Sequence, residues 1–231
     1  EMETSNLTRE EVINKMRNTL DVMKESIERG IDSDEKSVSG LIGGDAKKLR
    51  QHIKIEETLS GSFMNLAMAR ALATSEVNAC MGRIVAAPTA GSCGVVPASI
   101  ITSAEKLNKS EEETIMALFA TTGVGMIIAK NATVAGAEGG CQAEVGSAAA
   151  MSAAALVEMM GGTAKMALDA AAMVLKNVEG LVCDPIAGLV EIPCAKRNMA
   201  GTVLAITMAD VAMAKIESKI PFDDALEAMY K

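Results

Sequence analysis

Residues 147–160 read SAAAMSAAALVEMM, and this stretch decides the fold of the chain. Alanine has the highest helix propensity, and a helix covered with small side chains lets neighbouring helices approach closely. A second Ala-rich segment covers 164–178 after two glycines, and a long apolar segment covers 198–216. No segment has the convincing alternation of a β-strand. The sequence therefore predicts an all-α fold, a compact bundle of Ala-rich helices joined by Gly- and Pro-rich loops.

Two capping boxes indicate where further helices begin. Thr8 is followed by Glu11, and Ser110 is followed by Glu113, which is the spacing of a reciprocal hydrogen-bonded cap. Besides the Ala-rich segments, we expect helices at 9–30, 59–81, 111–120 and from 221 onward. We expect loops at 32–45, 82–97 and 182–193, whereas 123–140 shows no clear period. The last helix has no C-cap signal at Lys231, so we expect the native chain to continue.

Composition limits the classes of function. The 231 residues fit one sizeable domain spanning 1–231, with 49% apolar and only 2% aromatic residues. The formal charge of −8 gives neither a basic track nor a stacking platform, so we expect no nucleic-acid partner. Without a basic segment followed by an apolar run at the start, we expect a cytoplasmic protein. The apolar runs at 118–128 and 147–160 are shorter than a membrane span, so we expect no membrane contact.

The five cysteines form an odd set without any CxxC spacing. An odd count in a chain without a signal peptide favours reduced thiols, and spacing alone favours ordinary buried cysteines. Their context differs, however. Cys141 follows two glycines, Cys183 precedes Asp184 and a proline, and Cys194 follows Pro193. Such corners free a sulfur to point into a shared pocket, as thiolate ligation requires.

Three segments are dense in Gly, Pro and small polar residues. They read GRIVAAPTAGSCGVVPAS at 82–99, KNATVAGAEGGCQAEVGSAAA at 130–150, and CDPIAGLVEIPCAKRNMAG at 183–201. Each is compatible with a tight turn between helices. Each is also compatible with a site where backbone N–H groups, hydroxyls and a few charges converge on a small anion.

These segments resemble the signature stretches of the iron–sulfur-dependent L-serine dehydratase alpha domain. That family shows an APT-x-G-(A/S)-CG-x-x-PA loop, an E-x-GCQ-x-EVG turn and a CDP-x-x-GLV-x-x-PC-x-x-RN run, and all three occur here in order. The resemblance implies elimination of water from L-serine to give pyruvate and ammonia. It also implies a 4Fe–4S cluster held by Cys141, Cys183 and Cys194, with one iron left open as a Lewis acid.

The resemblance also implies roles for other residues. The loop residues Pro88, Thr89, Gly91 and Ser92 would hold the substrate carboxylate. Further candidates for charged or polar catalytic partners are Lys130, Asn131 and Arg197, for each of which a structural role is an equal alternative. Cys93 is interpreted as pocket lining and Cys80 as core. His52, the one histidine, lies in a polar stretch and is interpreted as a surface residue.

A general base is missing from this set. The family occurs as one long chain or as separate alpha and beta chains, and this length has no room for the beta domain. We therefore expect a hetero-oligomer in which a beta subunit supplies the base. The family's further C-terminal Gly/Leu segment is absent, as is the terminal Cys of some single-chain members.

Three other interpretations are weighed against this one. An L-cysteine desulfidase would use a related cluster and eliminate sulfide. A pyridoxal-phosphate enzyme would need a Schiff-base lysine on an α/β fold, which the helical pattern disfavours. A non-catalytic helical protein that binds a small molecule would be colourless when purified without oxygen, whereas a cluster enzyme would be brown.

Overall fold

The computed structural model describes residues 6–55 and 57–231, and within these ranges it is built from helices. The nine α-helices of the described residues are α1 (Arg9–Ile31), α2 (Asp45–Ile55), α3 (Gly61–Ala79), α4 (Val95–Lys106), α5 (Glu111–Asn131), α6 (Gly136–Met159), α7 (Ala164–Val178), α8 (Cys194–Met213) and α9 (Phe222–Tyr230). A short 3-10 helix covers Ala90–Ser92. The described part of the chain contains no strand, only an isolated bridge between Ile186 and Leu189. The predicted all-α class is confirmed.

Helix α6 is the centre of the bundle. It contacts α4, α5, α7 and α8. Helix α9 packs mainly against α7. The alanines that face these neighbours are fully buried, at positions 148–150, 153–155 and 170–172. Because an alanine adds little thickness to a helix, the backbones of these helices pack close together. The Ala-rich segments therefore form the core, as predicted.

The predicted capping boxes are both present. Thr8 accepts a hydrogen bond from the backbone N–H of Glu11, whose carboxylate accepts one from Thr8 N–H. Ser110 and Glu113 make the same reciprocal pair, which lowers the pKa of Glu113 to about 2 because the Ser110 N–H bonds to its ionised form. These caps are local in sequence, so the sequence alone located both helix starts.

Two helices lie outside the prediction. Helix α2 covers a polar stretch, and its first backbone N–H groups are capped by Glu76 of α3 rather than by a local residue. Burial raises the pKa of this carboxyl group. Helix α4 begins at Val95, so Pro97 lies in its first turn, where proline sacrifices no helical hydrogen bond. The loop predicted at 82–97 therefore ends earlier than expected.

The segment 123–140 is also more helical than its sequence indicates. Helix α5 runs through Gly123 and Gly125 to Asn131, because its buried face packs against α6. Helix α6 then begins at Gly136, not at 147, and turns sharply at Gly140. Gly140 has φ +78 and ψ −178, a conformation that only glycine adopts readily. Tertiary packing and one glycine corner thus produce helices in a segment whose sequence shows no clear period.

Helix α5 is the one helix of the described residues that is long and apolar enough to cross a membrane by length and composition. Of its most apolar window, 39% is buried inside the bundle. Core helices of soluble proteins meet the same criterion, so this observation by itself is weak evidence. The absence of a membrane partner stays a prediction.

Candidate functional site

Two of the three predicted cysteine ligands lie at helix beginnings. Cys141 directly follows the Gly140 corner and starts the straight part of α6, and Cys194 is the first residue of α8. Both are buried, whereas Cys183 lies exposed in the loop that connects α7 to α8. The N-terminal end of a helix carries partial positive charge, which favours a thiolate there.

Arg197 on α8 connects these segments. Its Nη1 donates to Cys141 Sγ at 3.0 Å and to the carbonyl of Val182 at 2.9 Å. The same nitrogen pairs with Asp184 Oδ1 at 2.7 Å. One guanidinium therefore contacts α6 and both neighbours of Cys183, so that the cysteine of the exposed loop is held near the other two.

The pKa shifts of the thiols report the same proximity. Burial, together with the charges of Cys141, Glu144 and Cys183, raises the pKa of Cys194 to about 11. Burial also raises the pKa of Cys141, whereas the hydrogen bond from Arg197 lowers it by a smaller amount. Across residues 6–55 and 57–231, no group of three or more His, Cys, Asp or Glu side chains is arranged to hold a metal ion. The ligand set Cys141, Cys183 and Cys194 stays a prediction.

Asn198 fixes the loop before α4 relative to the cysteines. Its side chain is buried and donates to the carbonyls of Gly91 at 2.7 Å and Cys194 at 2.9 Å. Its Oδ1 accepts from Gly94 N–H at 2.9 Å. Both N–H donors of this amide and one of its two acceptor positions are thus used, and they join the 89–94 loop to the beginning of α8.

Glu144 occupies the space between that loop and the cysteines. Thr89 Oγ1 donates to its Oε1 at 2.5 Å, and Thr89 and Ser92 hydroxyls lie 3.2 Å apart. A Cβ atom at Gly91 would lie 2.5 Å from Oε1, and one at Gly136 would lie 2.6 Å from Oε2. Both glycines are therefore needed to leave room for the carboxylate.

Sequence reasoning overlooked Glu144. The side chains named from the sequence as candidate partners are Lys130, Asn131 and Arg197, and a carboxylate is not among them. The signal was present, because Glu144 lies in the EVG part of the second signature segment, three residues after Cys141. Its partner Thr89 is 55 residues away, so their contact had no local trace.

The other predicted site residues fall into two groups. Pro88, Thr89, Gly91 and Ser92 form one turn beside Glu144, and the carboxylate of this same chain already accepts the Thr89 hydrogen bond. Lys130 and Asn131 lie exposed on the last turn of α5, where the Asn131 amide donates to Ile127 O of its own helix.

The remaining cysteines and the histidine lie outside the cysteine site. Cys93 is buried and its pKa is raised to about 12 by burial. Cys80 is the half-buried C-cap of α3, and His52 is an exposed residue of α2. The surface interpretation of His52 fits this placement, although its stretch is helical.

The loop that carries Cys183 is held at both ends. At its beginning, Gln142 N–H donates to Leu181 O at 2.9 Å, and Gln142 Oε1 accepts from Gly180 N–H at 2.8 Å. At its end, the buried Glu191 accepts hydrogen bonds from Ser37 at 2.7 Å and Ser39 at 2.6 Å. The middle of the loop, 182–190, is exposed.

Comparison with known proteins gives a consistent result. The family model described as serine dehydratase alpha chain matches residues 1–231. The "Probable L-serine dehydratase, alpha chain" of Bacillus subtilis (strain 168) is 49% identical over 100% of this chain and 77% of that protein. The "L-serine dehydratase, alpha chain" of Peptoniphilus asaccharolyticus is 49% identical over 99% of this chain and 78% of that protein. "L-serine dehydratase TdcG" of Escherichia coli (strain K12) is 36% identical over 91% of this chain and 48% of that protein. As its three signature segments predicted, this chain belongs to the serine dehydratase alpha chain family.

Proposed function

We propose that this chain is the alpha subunit of an iron–sulfur-dependent L-serine dehydratase, a lyase that converts L-serine into pyruvate and ammonia. The observation that carries the proposal is the set of contacts made by Arg197, which lies on the helix that begins at Cys194. Its guanidinium bonds to Cys141 and to both chain neighbours of Cys183, in a chain whose relatives are named for this reaction. Elimination breaks the Cα–H and Cβ–O bonds, and the resulting enamine tautomerises and is hydrolysed to pyruvate and ammonia.

The donor set fits a cluster better than a single metal ion. Cysteine thiolates are the usual ligands of iron–sulfur clusters, and no set of three His, Cys, Asp or Glu side chains in the described part of the chain is arranged to hold a single ion. Cys141 and Cys194 lie at helix beginnings, and Arg197 donates to Cys141 and to the carbonyl of Val182 beside Cys183. These features favour anionic sulfur and oppose the burial that raises the pKa of Cys141 and Cys194. When bound, such a cluster supplies an open iron as a Lewis acid for the departing hydroxide.

The chain's own residues prepare the site for substrate. Asn198 holds the 89–94 loop against α8, and Arg197 holds the Cys183 loop against α6. Two loops from distant parts of the sequence are thereby held against the helices that carry Cys141 and Cys194. The general base for the α-proton is proposed to come from a beta subunit, which makes the active enzyme a hetero-oligomer. We place it in the reducing cytoplasm, where thiolates persist.

The test is reconstitution of the chain with its beta subunit, iron and sulfide in the absence of oxygen, followed by a pyruvate assay on L-serine. We expect brown protein with broad visible absorbance and pyruvate formation that requires both chains. Colourless protein that makes no pyruvate would overturn the proposal. Faster release of sulfide from L-cysteine than of pyruvate from L-serine would point instead to a desulfidase.

Single replacements then test the ligand set. Serine at Cys141, Cys183 or Cys194 is expected to abolish both visible absorbance and activity, because a hydroxyl is a far poorer ligand for iron than a thiolate. Cys80→Ser is the matched control, since Cys80 lies at the C-terminal end of α3, and it should retain both. A fully active Cys183→Ser enzyme would contradict the assignment.

A further inference from the structure

The Glu144 carboxylate is a half-buried anion without a cationic partner among the described residues. No Lys or Arg of residues 6–55 and 57–231 forms an ion pair with it, and Arg197, which donates to Cys141, pairs with Asp184. Burying a charge without a counter-charge is unfavourable unless a ligand supplies the opposite charge. A bound ligand with a positive charge would therefore be stabilised by this carboxylate.

The hydrogen bonds of Glu144 are also incomplete. An ionised carboxylate offers about four acceptor positions. Oε1 accepts from Thr89, and within the described part of the chain Oε2 accepts no hydrogen bond. An N–H donor with positive charge would satisfy both the missing charge and the missing hydrogen bonds.

The surroundings of Glu144 preserve this arrangement. Gly91 and Gly136 lie against its two oxygens, and a side chain at either position would collide with the carboxylate. Thr89 fixes one oxygen and leaves the other free. The carboxylate is thus held in a defined position next to the loop expected to bind substrate.

A carboxylate here also restricts how an amino acid can bind. A substrate carboxylate at the Thr89 hydroxyl would face the Glu144 carboxylate, and two like charges at hydrogen-bonding distance repel each other. Of the charged groups of L-serine, the α-ammonium is the one that matches this position. The negative charge of Glu144 also acts on Cys93, Cys141 and Cys194, which places it beside the cysteines.

We propose that Glu144, oriented by Thr89, binds the α-ammonium group of the amino-acid substrate. This inference rests on the proposed function, because it assigns a group of that same substrate. The chain would then select amino acids over the corresponding 2-hydroxy acids by charge, and Glu144 would be a specificity-determining residue that the sequence analysis did not name.

The experiment compares two inhibitors that differ in this one group, L-alanine and L-lactate. In the reconstituted complex with the beta subunit, Glu144→Gln should weaken inhibition by L-alanine roughly 10- to 100-fold, the range for a charge-assisted hydrogen bond. Inhibition by L-lactate should stay the same or strengthen, since the repelling charge is gone. The KM for L-serine should rise together with the inhibition constant of L-alanine.

Two controls separate this role from a structural one. Glu158→Gln makes the same change on the exposed face of α6, about 21 Å further along the helix, and should change neither inhibitor. Thr89→Val should weaken inhibition by L-alanine, but less than Glu144→Gln does. Thr89→Ser keeps the hydroxyl and should leave inhibition by L-alanine near that of the unmodified complex. Visible absorbance is recorded for every variant, so loss of the cluster is recognised.

Three results would overturn the proposal. One is equal weakening of both inhibitors, which indicates a structural role. Another is a loss of kcat with both inhibition constants unchanged, which indicates a general base. The third is equal affinity of the unmodified complex for L-alanine and L-lactate in titration calorimetry. Absence of pyruvate would reject the proposed function separately, because the calorimetric comparison does not depend on turnover.

Discussion

The core around α6 and the loops that carry the cysteines are stabilised by different contacts. In the core, alanines that are fully buried fill the space between helices, and packing alone fixes the arrangement. In the loops, single polar side chains join segments far apart in sequence, such as Asn198 with Gly91 and Arg197 with Cys141. Substitutions in the core should therefore change stability alone, whereas substitutions of these polar side chains should change the site together with stability.

The reactivity of two cysteines gives the sharpest contrast. Cys93 is a buried residue of the 89–94 loop, with 1% exposure, and burial raises its pKa to about 12. Because of this pKa, the thiolate fraction of Cys93 at pH 8 is roughly 1000-fold below that of a free cysteine. Only the thiolate reacts with an alkylating reagent. In the apo chain, iodoacetamide should modify the exposed Cys183 first and Cys93 last, as followed by mass spectrometry of peptides. Early modification of Cys93 would show that the loop before α4 opens.

Asn198→Ala tests the loop side. It leaves the carbonyl of Gly91 and the N–H of Gly94 buried without partners, and each such group costs about 1–3 kcal/mol. We expect the free energy of unfolding to fall by about 3 kcal/mol and substrate turnover to fall with it. Urea denaturation measures the first quantity. Asn177→Ala, which removes an exposed amide bonded to its own helix, should change stability by less than about 0.5 kcal/mol.

Ala153→Leu tests the core side. The side chain at 153 is fully buried in α6, and added methylenes have no free volume, so we expect destabilisation of about 1–3 kcal/mol. The KM of the folded fraction should not change. Ala164→Leu, at the exposed beginning of α7, is the control and should be nearly neutral. A changed KM for Ala153→Leu would break the division between core and loops.

Ser152→Ala should have the smallest effect, and in the opposite direction. Ser152 Oγ is buried among alanines and makes no hydrogen bond to the described residues. Removing an unsatisfied hydroxyl should stabilise the chain by about 1 kcal/mol, which corresponds to roughly 2–4 °C in Tm. Calorimetric melting of the variant checks this. Ser99→Ala removes a buried hydroxyl that does bond, to Val95 O at 2.8 Å, and should not raise Tm.

The same division explains what the sequence could predict. Helix starts at Thr8 and Ser110 depend on side chains three residues apart, and core alanines follow from composition, so these were predicted correctly. Helix α2 was missed because its cap, Glu76, comes from about 30 residues further along the chain. The extension of α5 was missed because packing stabilises it.

The site divides in a similar way. Motif resemblance predicted roles for the cysteines and the 88–92 loop, because each lies within a signature segment that is continuous in sequence, and these roles stay predictions. It gave no account of Asn198 or Glu144, whose roles depend on partners 107 and 55 residues away. A residue whose function lies in a long-range contact leaves no periodic or local signal.

The run of buried alanines in α6 limits how the gene can vary. A single base change in an alanine codon gives Ser, Thr, Pro, Val, Gly, Asp or Glu. Most of these are too large or too polar for a fully buried position, and Gly weakens a helix by about 1 kcal/mol. Serine is the mildest change, and Ser147 and Ser152 are the two positions where a buried hydroxyl is tolerated without a partner among the described residues. Neutral drift in this helix is therefore confined to very few codons, whereas the exposed stretch 182–190 can accept change wherever Cys183 and its anchors are kept.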